Sequence, residues 1–250
     1  MKLIYTASQV REAEKPYIEA ADYDGYLMQR AADAVAAEAQ ELLHGKDTAK
    51  ILLLIGPGNN GADTIYAGAR LSAKGHRVDA VIFDPSEKNL ELIAREGGEG
   101  TRVLDPEHTL EHLASYDLTI DGILGTGSSG AVRGNAGEYL GVLRAAQLDG
   151  KLGAVLAVDT PSGVDNNRGT VHEPSLRADR TVTFIGHKLP AGTSHSIHSG
   201  DIKLYDLGVP EALDTHKPAL RVLDREDYRE LIEIPDEHSH KYTRGVLGML

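Results

Sequence analysis

Five consecutive apolar residues, Ile51-Leu-Leu-Leu-Ile55, run directly into Gly56-Pro-Gly-Asn-Asn-Gly61. A strand that is apolar on both faces must be covered on both, so this run belongs inside a parallel sheet sandwiched by helices. Glycines at the turn permit positive φ and close backbone approach, and the helix that follows offers free N–H groups to an anion. The spacing matches G-x-G-x-x-G, the fingerprint of dinucleotide-binding βαβ units, although a plain Gly/Asn turn joins strand to helix with the same residues. Asn59, Asn60 and Asp63 would line the ligand side of such a turn, and Asp84, closing the next strand, is placed to serve as a ribose acid.

The rest of the chain repeats this alternation. Arg77–Phe83, Leu118–Ile120, Ala154–Val158, Thr181–Ile185 and Asp201–Tyr205 read as further strands, with helical segments around Asn89–Arg95 and Tyr139–Gln147. Ahead of them, Thr6-Ala-Ser-Gln9 fits a capping box, so a helix starts there. The break Ala21–Gly25 then leads to a second helix carrying Leu27, Ala31, Val35, Ala39 and Leu42 at spacings of three and four. The expected fold is α/β, a three-layer α/β/α Rossmann-like sandwich with a mostly parallel sheet, preceded by two N-terminal helices.

Composition removes several classes of function. No cysteine is present, which excludes thiolate metal sites and a cysteine nucleophile. A net charge of -12, two Phe and no Trp argue against a nucleic-acid surface. No apolar run is long enough to span a bilayer and no signal-peptide segment opens the chain, so a cytoplasmic protein without a membrane partner is expected. The histidine pairs His195/His198 and His238/His240 lack a clear third ligand, so zinc is not expected.

Two more loops follow strands directly. Asp121-Gly-Ile-Leu-Gly-Thr-Gly-Ser-Ser-Gly130 is built of small residues whose N–H groups can curl around an oxyanion, and Asp159-Thr-Pro-Ser-Gly163 follows the strand ending at Val158. Ligands of open α/β sheets sit outside the carboxyl ends of strands, so Asp121 and Asp159 should face one crevice, one as acid/base and one as cation ligand, unless both merely cap turns. Lys188 also falls at a strand end, where a solvated surface lysine is the competing reading.

Taken in order, Gly56-Pro-Gly-Asn-Asn-Gly-Ala-Asp63, Asp121-Gly-Ile-Leu-Gly-Thr-Gly127 and Ala157-Val-Asp-Thr-Pro-Ser-Gly-Val-Asp165 resemble the signatures of the NAD(P)H-hydrate epimerase family, the YjeF N-terminal domain. The resemblance extends from Tyr5-Thr-Ala-Ser-Gln-Val-Arg11 and Leu27-Met-Gln-Arg-Ala31 to Ala178–Phe184, Lys188 and Ser199-Gly-Asp-Ile202. It implies interconversion of the R and S forms of hydrated NADH and NADPH (NADHX and NADPHX). Asp159 would be the catalytic acid/base and also a substrate contact. The other contacts implied are Asn59, Asn60, Gly61, Ala62, Asp63, Gly125, Thr126, Gly127, Ser128, Ser129, Gly130 and Ala131. Asn60, Asp121 and Ser162 match the family's potassium ligands, and related domains imply a homodimer.

The chain departs from the family pattern at Ala62 and Thr64, which stand where Gly is usual and are expected to crowd the ligand, and at Gln29, where Glu is usual. The stretch His240-Lys-Tyr-Thr-Arg-Gly-Val-Leu-Gly248 resembles the opening of a nucleotide-dependent dehydratase domain. Residues 1–235 are therefore read as the epimerase domain, and 236–250 as a linker and the start of a fused dehydratase. The competing functions are an NAD-dependent dehydrogenase, which leaves Asp121 and Asp159 without a shared purpose, and a non-catalytic nucleotide-binding or scaffold domain of the same fold. Phosphoryl transfer is disfavoured because Gly61 is followed by Ala62-Asp63 instead of Lys and a hydroxyl residue.

Overall fold

A computed structural model describes residues 1–97, 100–127, 129–231 and 237–239. The elements run β1 (Lys2–Tyr5), α1 (Ala7–Ile18), α2 (Tyr26–Leu42), β2 (Lys50–Ile55), α3 (Asn59–Ala73), β3 (Arg77–Ile82), α4 (Glu87–Glu96), β4 (Thr101–Val103), α5 (Pro106–Glu111) and β5 (Leu118–Gly122). They continue with α6 (Gly134–Leu148), β6 (Ala154–Val158), β7 (Arg180–Phe184), β8 (His187–Lys188), β9 (Asp201–Tyr205), β10 (Leu220–Val222) and α7 (Arg225–Leu231).

Among the described residues the central sheet has the order β4-β3-β2-β5-β6-β7-β9, and every neighbouring pair is parallel. The side chains of β2 explain why it sits near the middle. Ile51, Leu53 and Ile55 pack with Leu27 and Val35 of α2 and Ile65 and Leu71 of α3, whereas Leu52 and Leu54 pack with Tyr139, Leu140 and Leu143 of α6. All five are fully buried. Each contributes about 1.5–3 kcal/mol of apolar burial, so period-two alternation between two cores fixes the three layers.

The order also locates a ligand crevice. From β2 the chain builds outward to β3 and β4, then returns to place β5 on the other side of β2 and builds away through β6 and β7. The topological switch point therefore lies between β2 and β5, at their carboxyl ends, where the first two glycine loops begin. Gly56 N–H donates to the Gly122 carbonyl at 3.2 Å there. A Cβ on Gly56 would stand 2.6 Å from the Ile123 carbonyl carbon and 2.8 Å from its Cα. Backbone cannot yield as a flexible side chain can. Gly56→Ala is thus expected to destabilise the protein by about 1–3 kcal/mol in urea unfolding; an unchanged midpoint would show that the two loops are not in contact.

The capping box forms as expected: Gln9 N–H donates to Thr6 Oγ1 at 3.2 Å and Thr6 N–H to Gln9 Oε1 at 2.9 Å. Both N-terminal helices precede the central sheet, but a strand, β1, stands ahead of them. It belongs to a separate three-stranded sheet of order β10-β1-β8. Four residues paired with the far end of the chain carry no local periodicity, which is why the sequence conceals them. No described helix is long and apolar enough to cross a membrane.

Candidate active site at the switch point

Gly58 precedes α3 in an extended conformation without a side-chain cap, so the first-turn N–H groups of the helix are not taken by a capping side chain. Asn60, in that turn, donates its amide to the Val158 carbonyl at 2.6 Å and the Leu124 carbonyl at 3.3 Å. One side chain thereby ties the ends of β5 and β6 to α3. Gly125 is packed against it so closely that any Cβ would overlap the Asn60 amide. Asp121, buried at the end of β5, accepts from the Ser162 hydroxyl at 2.6 Å and the Ser162 N–H at 2.8 Å, and Leu124 N–H donates to the same hydroxyl at 3.0 Å. Asn60, Asp121 and Ser162 are thus linked through Leu124. Their oxygens, with the Val158 and Leu124 carbonyls, form a hard donor set carrying a single carboxylate, which fits an alkali cation and offers nothing to a soft metal.

Asp159 follows β6 with φ +65°, a left-handed conformation that Asp and Asn tolerate better than most residues. Its N–H donates to the Val182 carbonyl at 2.7 Å, which anchors the turn to β7. Its carboxylate is held on both oxygens. Oδ1 accepts from Thr183 Oγ1 at 3.1 Å and from Lys188 Nζ, and Oδ2 accepts from Thr126 Oγ1. Lys188 also donates to Thr183 Oγ1 and to the Phe184 carbonyl, each at 3.0 Å, so all three ammonium donors are used. With Asp159 at 5% and Lys188 at 4% exposure, the lysine is a buried ion-pair partner, not a solvated surface residue. A small hollow lined by this pair with Thr181 and Ser199 measures about 20 Å³, enough for a water-sized group.

Two further carboxyls feel this pair. Burial pushes Asp63 well above the usual carboxylate range, with the charges of Asp159 and Glu14 adding to the effect and Lys88 opposing it. Burial also raises Glu14, on α1, where Lys188 pulls it down and Asp159 pushes it up. A carboxyl raised by folding stabilises the protein below its unfolded pKa, and that stability is lost as pH rises through the folded value. For Asp63 the window opens near 3.8 and extends upward. Asp63→Asn is therefore expected to flatten the decline in unfolding free energy from pH 4 toward neutrality; a curve parallel to that of the unaltered protein would count against a buried protonated carboxyl. Burial raises Asp121 too, against its Ser162 hydrogen bonds.

The remaining residues divide. Ser129 and Ala131 line a larger hollow of about 430 Å³ between the ends of β3 and β5, and Gly127 lies beside Arg11. Gly61 packs on the Gly56 carbonyl, and Gly130 adopts φ +81°. Asn59 opens α3 exposed, whereas Ser128 lies outside the described residues, as does the tail from residue 240. Ala62, implied as a ligand contact, has its methyl fully buried in the core and its N–H donating to the Gly58 carbonyl at 3.2 Å. Thr64 likewise turns inward, donating to the Asn60 carbonyl at 2.7 Å under Gly122. Both side chains are buried, Thr64 on the sheet side under Gly122 and Ala62 about 200° away around α3, which packs on α2 and α4 as well as on the sheet. Gln29 accepts from Arg70 at 2.8 Å, linking α2 to α3 away from the site.

Glu14 and Thr183 went unnoticed in the sequence. A glutamate on a polar helix and a threonine in a strand carry no local signal of a site. His198 is buried, and an exposed group, His108, Glu111 and His112, also escaped notice.

Comparison with known proteins places these features in a family. Residues 25–189 match the family described as YjeF-related protein N-terminus. The chain is 36% identical over 220 residues to the NAD(P)H-hydrate epimerase of Microbacterium testaceum, covering 86% of this chain and 82% of that protein. It is 30% identical over its whole length to the bifunctional NAD(P)H-hydrate repair enzyme Nnr of Mycobacterium leprae, of which it spans 50%. Among solved structures, yeast ynu0 superposes with a TM-score of 0.66 at 20% identity over 80% of this chain and 86% of that one, which supports the fold.

Proposed function

The chain belongs to the YjeF-related protein N-terminus family, and on that premise we propose that it is an NAD(P)H-hydrate epimerase, an isomerase that interconverts the R and S forms of NADHX and NADPHX. The observation that carries this reading is the Asp159 carboxylate, fixed by Lys188, Thr183 and Thr126 at the end of β6, beside the switch-point crevice. C6 of the hydrated nicotinamide bears a hydroxyl and is bonded to the ring nitrogen. Asp159 takes the hydroxyl proton, the O–H electron pair becomes the aldehyde C=O, and the C6–N bond opens with its pair moving to nitrogen. The same carboxyl returns the proton to that nitrogen. After rotation about the adjoining bond, the nitrogen closes on the other face of the aldehyde and the steps reverse. Lys188 keeps the carboxylate oriented through each transfer, and the Asp159 backbone is already committed to its turn before substrate arrives.

Asn60, Asp121 and Ser162 would hold a potassium ion, whose positive charge, when bound, offsets the Asp121 carboxylate and favours the anionic substrate. The uncapped starts of α3 and α6 offer N–H groups for the substrate diphosphate. The chain spans about half the length of the bifunctional relatives it matches. A C-terminal dehydratase domain joined beyond residue 235, a homodimer and a cytoplasmic location complete the proposal. A chromatographic time course from a single epimer tests it: faster appearance of the other epimer with protein in potassium buffer is expected, and the spontaneous rate in both potassium and sodium would refute it.

A further inference from the structure

We propose that Asp84 makes this protein selective for the hydrate whose adenosine ribose is unphosphorylated, NADHX over NADPHX, an inference that rests on the epimerase reading. The larger hollow opens between the carboxyl ends of β3 and β5, with Phe83, Ile123 and Val132 as apolar walls and two charged groups, Asp84 and Arg133, on its rim. Neither charged side chain is committed to a hydrogen bond or ion pair among the described residues. Asp84 stands exposed just past β3 with φ +44°, a conformation that Asp and Asn accept.

The position has a chemical meaning in doubly wound sheets. When the first strand ends in a glycine-rich phosphate turn, an acid closing the next strand hydrogen-bonds the ribose 2′-hydroxyl, whereas a 2′-phosphate needs a basic group there. Here β2 ends in the Gly56 turn, and β3 is its immediate parallel neighbour. The ends of β3 and β6 lie three strand spacings apart, about 14 Å, so a dinucleotide with its nicotinamide at Asp159 lays its adenosine over Asp84.

Two cations, Arg133 and Lys88, stand near Asp84. Arg133 immediately precedes α6 on the rim of the same hollow, where it is assigned to the diphosphate together with the helix start. Lys88 is the second residue of α4 and is exposed. A 2′-phosphate carrying nearly two negative charges would meet like charge at the Asp84 carboxylate, and R133A separates the contribution of the cation on the same rim.

The test combines kcat/KM for NADHX and NADPHX with calorimetric binding of ADP-ribose and its 2′-phosphate, for the unaltered protein, D84N and R133A. The unaltered protein should favour the unphosphorylated member of each pair by roughly tenfold or more. D84N, which keeps the backbone conformation, should bring both ratios close to one, and R133A should weaken both members equally. Ratios near one in the unaltered protein, or ratios that D84N leaves intact, overturn the inference. If neither hydrate is turned over, the epimerase reading fails, and the binding ratio alone still decides the role of Asp84.

Discussion

Asp159→Asn should slow epimerisation by about 10²–10⁴-fold, the range that a positioned acid/base contributes, while leaving a folded protein. Asparagine tolerates φ +65°, and its amide oxygen can still accept from a threonine hydroxyl, so the turn after β6 has what it needs. What asparagine cannot do is take and return a proton. It also cannot neutralise Lys188, whose ammonium is buried at 4% exposure and would lose its counter-charge. The variant should therefore show two separable effects: a reaction rate near that of buffer, and a lower unfolding midpoint with unchanged far-ultraviolet circular dichroism. Full activity in a folded variant would remove Asp159 from the chemistry.

Lys188→Met tests the other half of the pair and should cost the fold about 3–5 kcal/mol, because stripping one member of a buried ion pair leaves the other uncompensated. Asp159 would then share its pocket with Asp63 and Glu14, with Thr183 and Thr126 remaining as donors. Combining Lys188→Met with Asp159→Asn removes both charges, so the double variant should be more stable than the sum of the single losses implies. A double-mutant cycle from urea unfolding measures that coupling directly. A coupling within about 0.5 kcal/mol of zero would show that the two side chains are not a buried pair.

The sequence disclosed those parts of the fold that follow from local pattern. The apolar run at Ile51–Ile55 and the strand ending at Val158 could be read because period-two burial on two faces leaves unbroken aliphatic stretches, and Thr6 and Gln9 announced a helix start through side-chain chemistry. The strands β1, β4, β8 and β10 have two to four residues each, too few to display a period, and they exist because distant partners pair with them. At the site, Asp121 and Asp159 were legible because strand ends are where α/β sheets bind ligands. Lys188 was half legible: its position pointed to the site, but only tertiary packing shows that it is buried against Asp159. Ala62 and Thr64 fall on roughly opposite sides of α3, and both are buried because that helix is covered on more than one side, which local pattern does not show. Glu14 comes to the site only because α1 packs beside it.

The most direct measurement is a crystal structure of Asp159→Asn soaked with R-NADHX. The C6 hydroxyl is expected within hydrogen-bond reach of the residue 159 amide, with the diphosphate over the starts of α3 and α6. A nicotinamide ring bound in another part of the molecule, with residue 159 facing no ligand atom, would contradict the assignment of this crevice as the active site.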